Sequence, residues 1–102
     1  MKGKYKMLDK MITDCFVIID GYFTAEQAVE FINNWGRHPE FYHFGLGTLI
    51  RNELLLPGSA LYLEFCRHGV FSADDMSSYV ITMYYRHLVK QKLRRKWLSP
   101  DC

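Results

Sequence analysis

Apolar residues near the start of the chain recur at Leu8, Met11, Ile12, Cys15, Phe16 and Ile19. This is the i, i+3, i+4, i+7, i+8, i+11 series of one helical face, and it predicts a helix over residues 7–19. The run Phe16-Val17-Ile18-Ile19 before Asp20-Gly21 also fits a strand entering a tight turn, but the longer window favours helix. Thr24-Ala25-Glu26-Gln27 reads as a capping box, in which the Thr24 hydroxyl and the Gln27 amide reciprocally satisfy open backbone donors. It opens a predicted helix over 25–35 with Ala28, Phe31, Ile32 and Trp35 along one face. Gly36 is placed to stop that helix in a left-handed turn. Pro39 suits the first turn of another helix, because its missing N–H has no intrahelical partner to lose. That helix runs through Phe44 and Leu46 to about residue 55, and Gly45 and Gly47 weaken it by about 1 kcal/mol each relative to alanine.

Pro57-Gly58-Ser59 marks a break, with Ser59 as N-cap of a short helix over 60–68 ended by Gly69. Ser72-Ala73-Asp74-Asp75 is a second start of the capping-box kind, with both acids at the positive end of the helix dipole. The helix it opens has the clearest period in the chain, at Met76, Tyr79, Val80, Met83, Tyr84, His87 and Leu88. Continued to Trp97 it is a rod of roughly 37 Å, and Ser99-Pro100 ends it. The predicted architecture is all-α: one compact bundle of four to five helices with a long C-terminal helix, and flexible ends at 1–5 and 98–102.

The segment His43-Phe44-Gly45-Leu46-Gly47, followed by Ile50-Arg51-Asn52, then Gly58-Ser59, then Asp74-Asp75-Met76-Ser77, resembles a family of small bacterial domains of unknown function. In that family an HFGLGxxIRN segment precedes a GS break and a DDMS helix start. The resemblance covers about two-thirds of the chain, from the Thr24 helix to Leu88, and implies no activity. Where the relatives often continue from the Arg-Asn pair into an Asn-Trp-Gly-like stretch, this chain has Glu53-Leu54-Leu55.

Composition agrees with a single folded domain. At 102 residues, 49% hydrophobic and 24% charged, the chain is long enough for one core, and a domain this size buries roughly two-thirds of its unfolded surface. Cys15, Cys66 and Cys102 are odd in number, far apart and without CxxC spacing, so reduced thiols are expected rather than disulfides or a zinc ribbon. The longest uninterrupted apolar run, residues 15–19, is too short for a signal-peptide core or a membrane span. A cytoplasmic address without membrane attachment is the expectation.

Candidate chemistry centres on His43, Arg51, Asn52, Asp74 and Asp75, with Ser77 and His87 nearby in the pattern. Arg51 lies eight residues after His43, about two helical turns, so the two share a side. Asp74 and Asp75 open the last helix and are placed to form a bidentate pair with Arg51. Such a group would suit an anionic ligand or a small enzyme. The plainer account is that Arg51 bridges the acidic helix start and the cluster fixes helix packing. Gly45 and Gly47 lack the Lys-Ser/Thr ending of a phosphate loop and point to close helix–helix approach. No HExxH or paired Cys/His spacing implies a metal, and no cofactor is implied. Cys66 reads as core.

Two further surfaces are candidates for partners. At helical spacing most of Tyr79, Tyr84 and Tyr85 read as core. Yet Tyr79, Val80, Ile81, Met83, Tyr84 and Tyr85 cover more than one face of the last helix, which makes that helix central or part of an interface, with Tyr79, Met83, Tyr84 and Tyr85 as the candidates, for instance in a homodimer. Arg86, Lys90, Lys92, Arg94, Arg95 and Lys96 follow one another without an intervening acid, whereas residues 11–85 hold nine acids against Arg37, Arg51 and Arg67. This basic end complements the helix dipole and suits an acidic protein or phosphate. Sequence-specific DNA reading is disfavoured, because Leu61-Tyr62-Leu63-Glu64-Phe65 offers no base-reading face. The leading expectation is a non-enzymatic helical module that binds a protein partner or itself through aromatic and apolar faces. Nucleic-acid binding through residues 86–96 is the alternative, and an enzyme or anion pocket at His43, Arg51 and Asp75 the third.

Overall fold

Leu8, Ile12, Phe16 and Ile19 form one buried line, and the chain keeps it continuous across two helical segments, α1 (Lys6–Asp14) and α2 (Phe16–Asp20). Cys15 between them stays in the right-handed helical region, and its N–H donates to the Ile12 carbonyl at 2.9 Å. The two segments are therefore one bent unit. Residues 16–19 are helical, which decides against the strand. The computed structural model describes the backbone of residues 5–98 and side chains through Lys92. Most of the expected flexible ends, and Cys102, lie outside the described residues.

The capping box forms as predicted at α3 (Ala25–Asn34): Thr24 Oγ1 accepts from Gln27 N–H at 3.1 Å, and Gln27 Oε1 accepts from Thr24 N–H at 2.9 Å. Gly36 does not provide the stop. Only Gly58 and Gly69 have positive φ among the described residues. Instead the N–H groups of Arg37 and His38 both turn back to the Asn34 carbonyl, at 3.0 and 2.9 Å, and Pro39 holds His38 out of the helical region. Pro39 then begins α4 (Pro39–Phe44), and α5 (Leu46–Glu53) follows directly. The single helix expected here bends at Gly45, whose N–H still reaches the Phe41 carbonyl at 3.2 Å. α4 buries none of its residues, while α5 buries Leu46, Gly47 and Ile50. The two halves thus answer to different surroundings, and the weakest helical residue takes the bend.

α6 (Ala60–Arg67) starts at Ser59, whose hydroxyl accepts from Tyr62 N–H, and stops at Gly69 with φ +83°. α7 (Ala73–Leu98) starts at Ser72 and packs on α1, α3, α5 and α6. Counting each bent pair once, five helical units make the bundle, and no strand occurs among the described residues.

The position of α7 changes which of its residues are buried. Met76, Ser77, Val80, Ile81, Tyr84 and Leu88 form its core face. Tyr79 is 36% exposed, and Met83 and His87 are half-buried. The predicted stripe is rotated toward Ser77 and Ile81 because α5 packs on that side. Tyr84, proposed from sequence as part of an interface, is 1% exposed. Its ring packs near Phe16, Phe23 and Phe31, and its hydroxyl donates to Asp20 Oδ1 at 2.5 Å. Tyr84 belongs to the core. Burial is the main cause that pushes its phenol pKa up, and the bond to Asp20 adds to it.

Candidate functional site

His43, Gly47 and Arg51 follow one another at i, i+4 and i+8, on one side of the α4–α5 unit. Gly47 is the small residue that lets the other two stand there. A Cβ at this position would lie 3.0 Å from Arg51 Nη1 and 3.5 Å from His43 Nδ1. The expected helix–helix approach is thus corrected: the space is filled by side chains of the same helical unit. Arg51 Nη1 donates to Ser77 Oγ at 3.1 Å and sits 3.4 Å from Asp74 Oδ1, while Nη2 donates to Thr48 Oγ1 at 3.0 Å. Ser77 in turn donates to the Asp74 carbonyl at 2.9 Å, and Thr48 to that of Phe44 at 2.6 Å.

The pair with Asp74 is single rather than bidentate, and the Asp74 side chain is 76% exposed. It contributes little. Asn52, one residue past Arg51, points to a different side of α5 and is exposed. Asp75 lines a separate trough of about 520 Å³ with Asp9, Tyr79 and Arg86. The structure therefore brings His43, Arg51 and Asp74 together and leaves Asn52 and Asp75 out. It adds Thr48 and Ser78, which the sequence reading missed. Thr48 stands three residues before Arg51, a helical spacing that could have revealed it. Ser78 meets His43 Nε2 at 3.0 Å from another helix, and nothing local in the sequence announces that contact.

Chemically this cluster is closed on itself. The guanidinium already donates to Ser77 and Thr48 and lies against Asp74, so fewer of its N–H groups are left for an incoming anion. Ser78 and His43 form a pair of nucleophile and base types, but His43 Nδ1 is buried without a hydrogen-bond partner among the described residues. In a working triad that nitrogen is held by a third group, commonly a carboxylate. The adjoining cleft, bounded by Glu40, His43, Phe44, Arg51 and Asp74, is about 260 Å³, below the roughly 300–1,000 Å³ of small-molecule sites. No cluster of three or more metal-ligating side chains occurs among the described residues. Cys15 and Cys66 are half-buried free thiols, and burial, then the charge of Asp14, raises the pKa of Cys15, which makes it a poor nucleophile.

The α4 surface is of another kind. Phe41 is 72% and Phe44 80% exposed, on a helical segment that contributes no buried residue. Phe41 forms a ridge between two hollows. One is a groove of about 220 Å³ with Tyr22, Phe23, Tyr42, Leu46 and Leu49 as its apolar lining and Gln27 and Glu30 at its side. The other is bordered by Glu30, Asn34, His38 and Glu40. Tyr22 donates to Glu53 Oε2 at 2.6 Å, and burial followed by this bond pushes its phenol up to about 12. Tyr42 rises as well, through burial and then the charge of Glu30. Among the described residues Glu30 and Glu40 have no ion-pair partner. The groove is therefore aromatic in its floor and acidic at its edge.

Of the remaining sequence candidates, Tyr79 packs edge-on against Phe65, with ring centroids 5.6 Å apart, and Tyr85 against Phe31 at 6.0 Å. Arg86, Lys90 and Lys92 are exposed along the end of α7. The side chains of Arg94, Arg95 and Lys96 lie outside the described residues.

What the fold and this surface define is a small all-α domain with an internally bonded polar cluster and an exposed aromatic ledge. The family model for a domain of unknown function (DUF6794) matches residues 10–88, and the chain belongs to that family. The match reaches back into α1, beyond the motif-bearing stretch that begins at Thr24. It ends at Leu88, the last buried side chain described in α7. No curated protein and no solved structure matches the chain. No described helix is long and apolar enough to cross a membrane.

Proposed function

We propose that this domain is a non-enzymatic interaction module that grips a protein surface through Phe41, Phe44 and the adjoining groove. One observation carries this reading: α4 holds no fully buried residue, yet presents two largely exposed phenylalanines, Phe41 and Phe44. Single exposed apolar residues are ordinary on a protein surface, but here Tyr42 makes the core contact of α4, against Phe31 and Trp35, and folding gives no reason for two further exposed phenylalanines beside it. Covering a phenylalanine side chain is worth about 1.5–3 kcal/mol, and aromatic anchors beside a pocket are the usual centres of binding energy.

The test is the double variant Phe41→Ser/Phe44→Ser. Its thermal midpoint should stay within about 2 °C of the wild type, because surface changes away from core contacts shift stability little. Its association, read as solution mass and as proteins captured from the native cell, should be lost. Unchanged mass and an unchanged captured set would end the proposal. Binding to phosphate through Arg86, Lys90 and Lys92 would instead weaken steeply between low and physiological salt, and would ignore both phenylalanines.

A further inference from the structure

The occupant of the groove can be argued from charge and reach, and the argument rests on the docking reading above. α7 stays helical to Leu98, ten residues beyond its last described buried side chain. At 26 residues it is about 39 Å long, in a molecule whose extents are 46, 31 and 22 Å. The sequence of this end is basic, with Lys90, Lys92, Arg94, Arg95 and Lys96, and Val89, Leu93 and Trp97 recur in it at four-residue intervals. The groove beside Phe41 is the complement: an apolar hollow of about 220 Å³, room for one large side chain, with Glu30 at its edge and Glu40 in the neighbouring hollow across the Phe41 ridge, neither with an ion-pair partner among the described residues.

The rod cannot serve its own groove. The groove adjoins α7 from Ser78, which meets His43, to Tyr84, whose ring lies 6.0 Å from that of Phe23. Trp97 lies 13 residues past Tyr84 on the same helix, a separation of about 20 Å along the axis. Only another molecule can bring the two surfaces together.

We propose that the basic end of α7 from one copy seats its Leu93–Trp97 segment in the groove of a second copy, its cations facing Glu30 and Glu40. The reciprocal contact closes a two-fold dimer.

Sedimentation equilibrium of the full chain over a concentration series tests this. The wild type should pass from monomer to dimer, and Trp97→Ser should remain monomeric. Arg94→Glu/Arg95→Glu and Glu30→Arg/Glu40→Arg should each weaken association about tenfold or more, and combining them should restore it to within about threefold of the wild type. A monomer at every concentration overturns the proposal, as does a combined variant no tighter than its parents. A dimer broken by Phe41→Ser/Phe44→Ser but indifferent to Arg94→Glu/Arg95→Glu overturns this occupant while the groove keeps its role. So does a monomer whose capture of a different protein depends on the two phenylalanines. A dimer indifferent to all these changes refutes the occupant and the groove together.

Discussion

Gly47 shows how one missing methyl group organises the polar cluster. Its absent Cβ leaves the space in which Arg51 reaches Ser77, and the nearest approach would be 3.0 Å. Alanine normally gains about 1 kcal/mol over glycine inside a helix. In the wild type, Gly47→Ala should show none of that gain, because the guanidinium must retreat from Ser77. In an Arg51→Met background the full gain of about 1 kcal/mol should appear. Urea unfolding of the four proteins measures this coupling, and simple additivity would refute the contact. Arg51→Met alone should cost about 1–3 kcal/mol, as expected for hydrogen bonds to a charged group, and should leave docking at Phe41 intact. Of this cluster the sequence revealed the shared side of His43 and Arg51 and the approach of Asp74. It did not reveal Ser78, since a contact across 35 residues leaves no local pattern.

At the scale of elements, caps were legible and stops were not always so. The Thr24 box, the Ser59 cap and the left-handed Gly69 follow from local chemistry, because each satisfies backbone groups that the helix end leaves open. Gly36 failed as a stop because the following Pro39 and the double turn onto Asn34 O end α3 without a left-handed residue. The contrast is testable. A Cβ at Gly69 or at Gly36 would meet nothing within 4 Å, so only backbone conformation separates them. Gly69→Ala should lower stability by about 1–2 kcal/mol, whereas Gly36→Ala should leave it unchanged or raise it by up to about 1 kcal/mol. Equal effects in thermal unfolding would show that the two positions do not differ as described. The division of residues 39–53 into α4 and α5 was half visible, in the glycines that weaken the helix. That α4 would be bare was not, because Phe41 and Phe44 look like core residues until their neighbours are known.

For the molecule as a whole, two phenols, the buried Tyr84 and the half-buried Tyr22, tie folding to alkaline pH. Tyr84 and Tyr22 both have raised folded-state pKa values, through burial first and then through Asp20 and Glu53, and Tyr22 reaches about 12. The unfolded phenols ionise near pH 10. The fold holds them protonated, so their contribution is complete below about pH 10 and declines as pH rises toward the folded values. Urea midpoints should therefore fall between about pH 10 and 12. Tyr84→Phe/Tyr22→Phe should be less stable at neutral pH, where the bonds to Asp20 and Glu53 are gone, but should show a shallower alkaline decline. An unaltered slope would mean that other groups govern it.

Helix identity, most caps and the all-α class follow from periodicity and from hydrogen-bonding chemistry confined to a few neighbouring residues, so a linear reading reaches them. Burial is different, because it depends on what packs from elsewhere in the chain. α5 packed beside Ser77 and turned the core face of α7 toward it, α2 and α3 drew Tyr84 inside, and Tyr79 was left at the rim. The same packing closed Arg51 onto Ser77 and left Phe41 uncovered beside an acidic groove. Local spacing says which side chains share a face; only the assembled helices say whether that face meets protein or water.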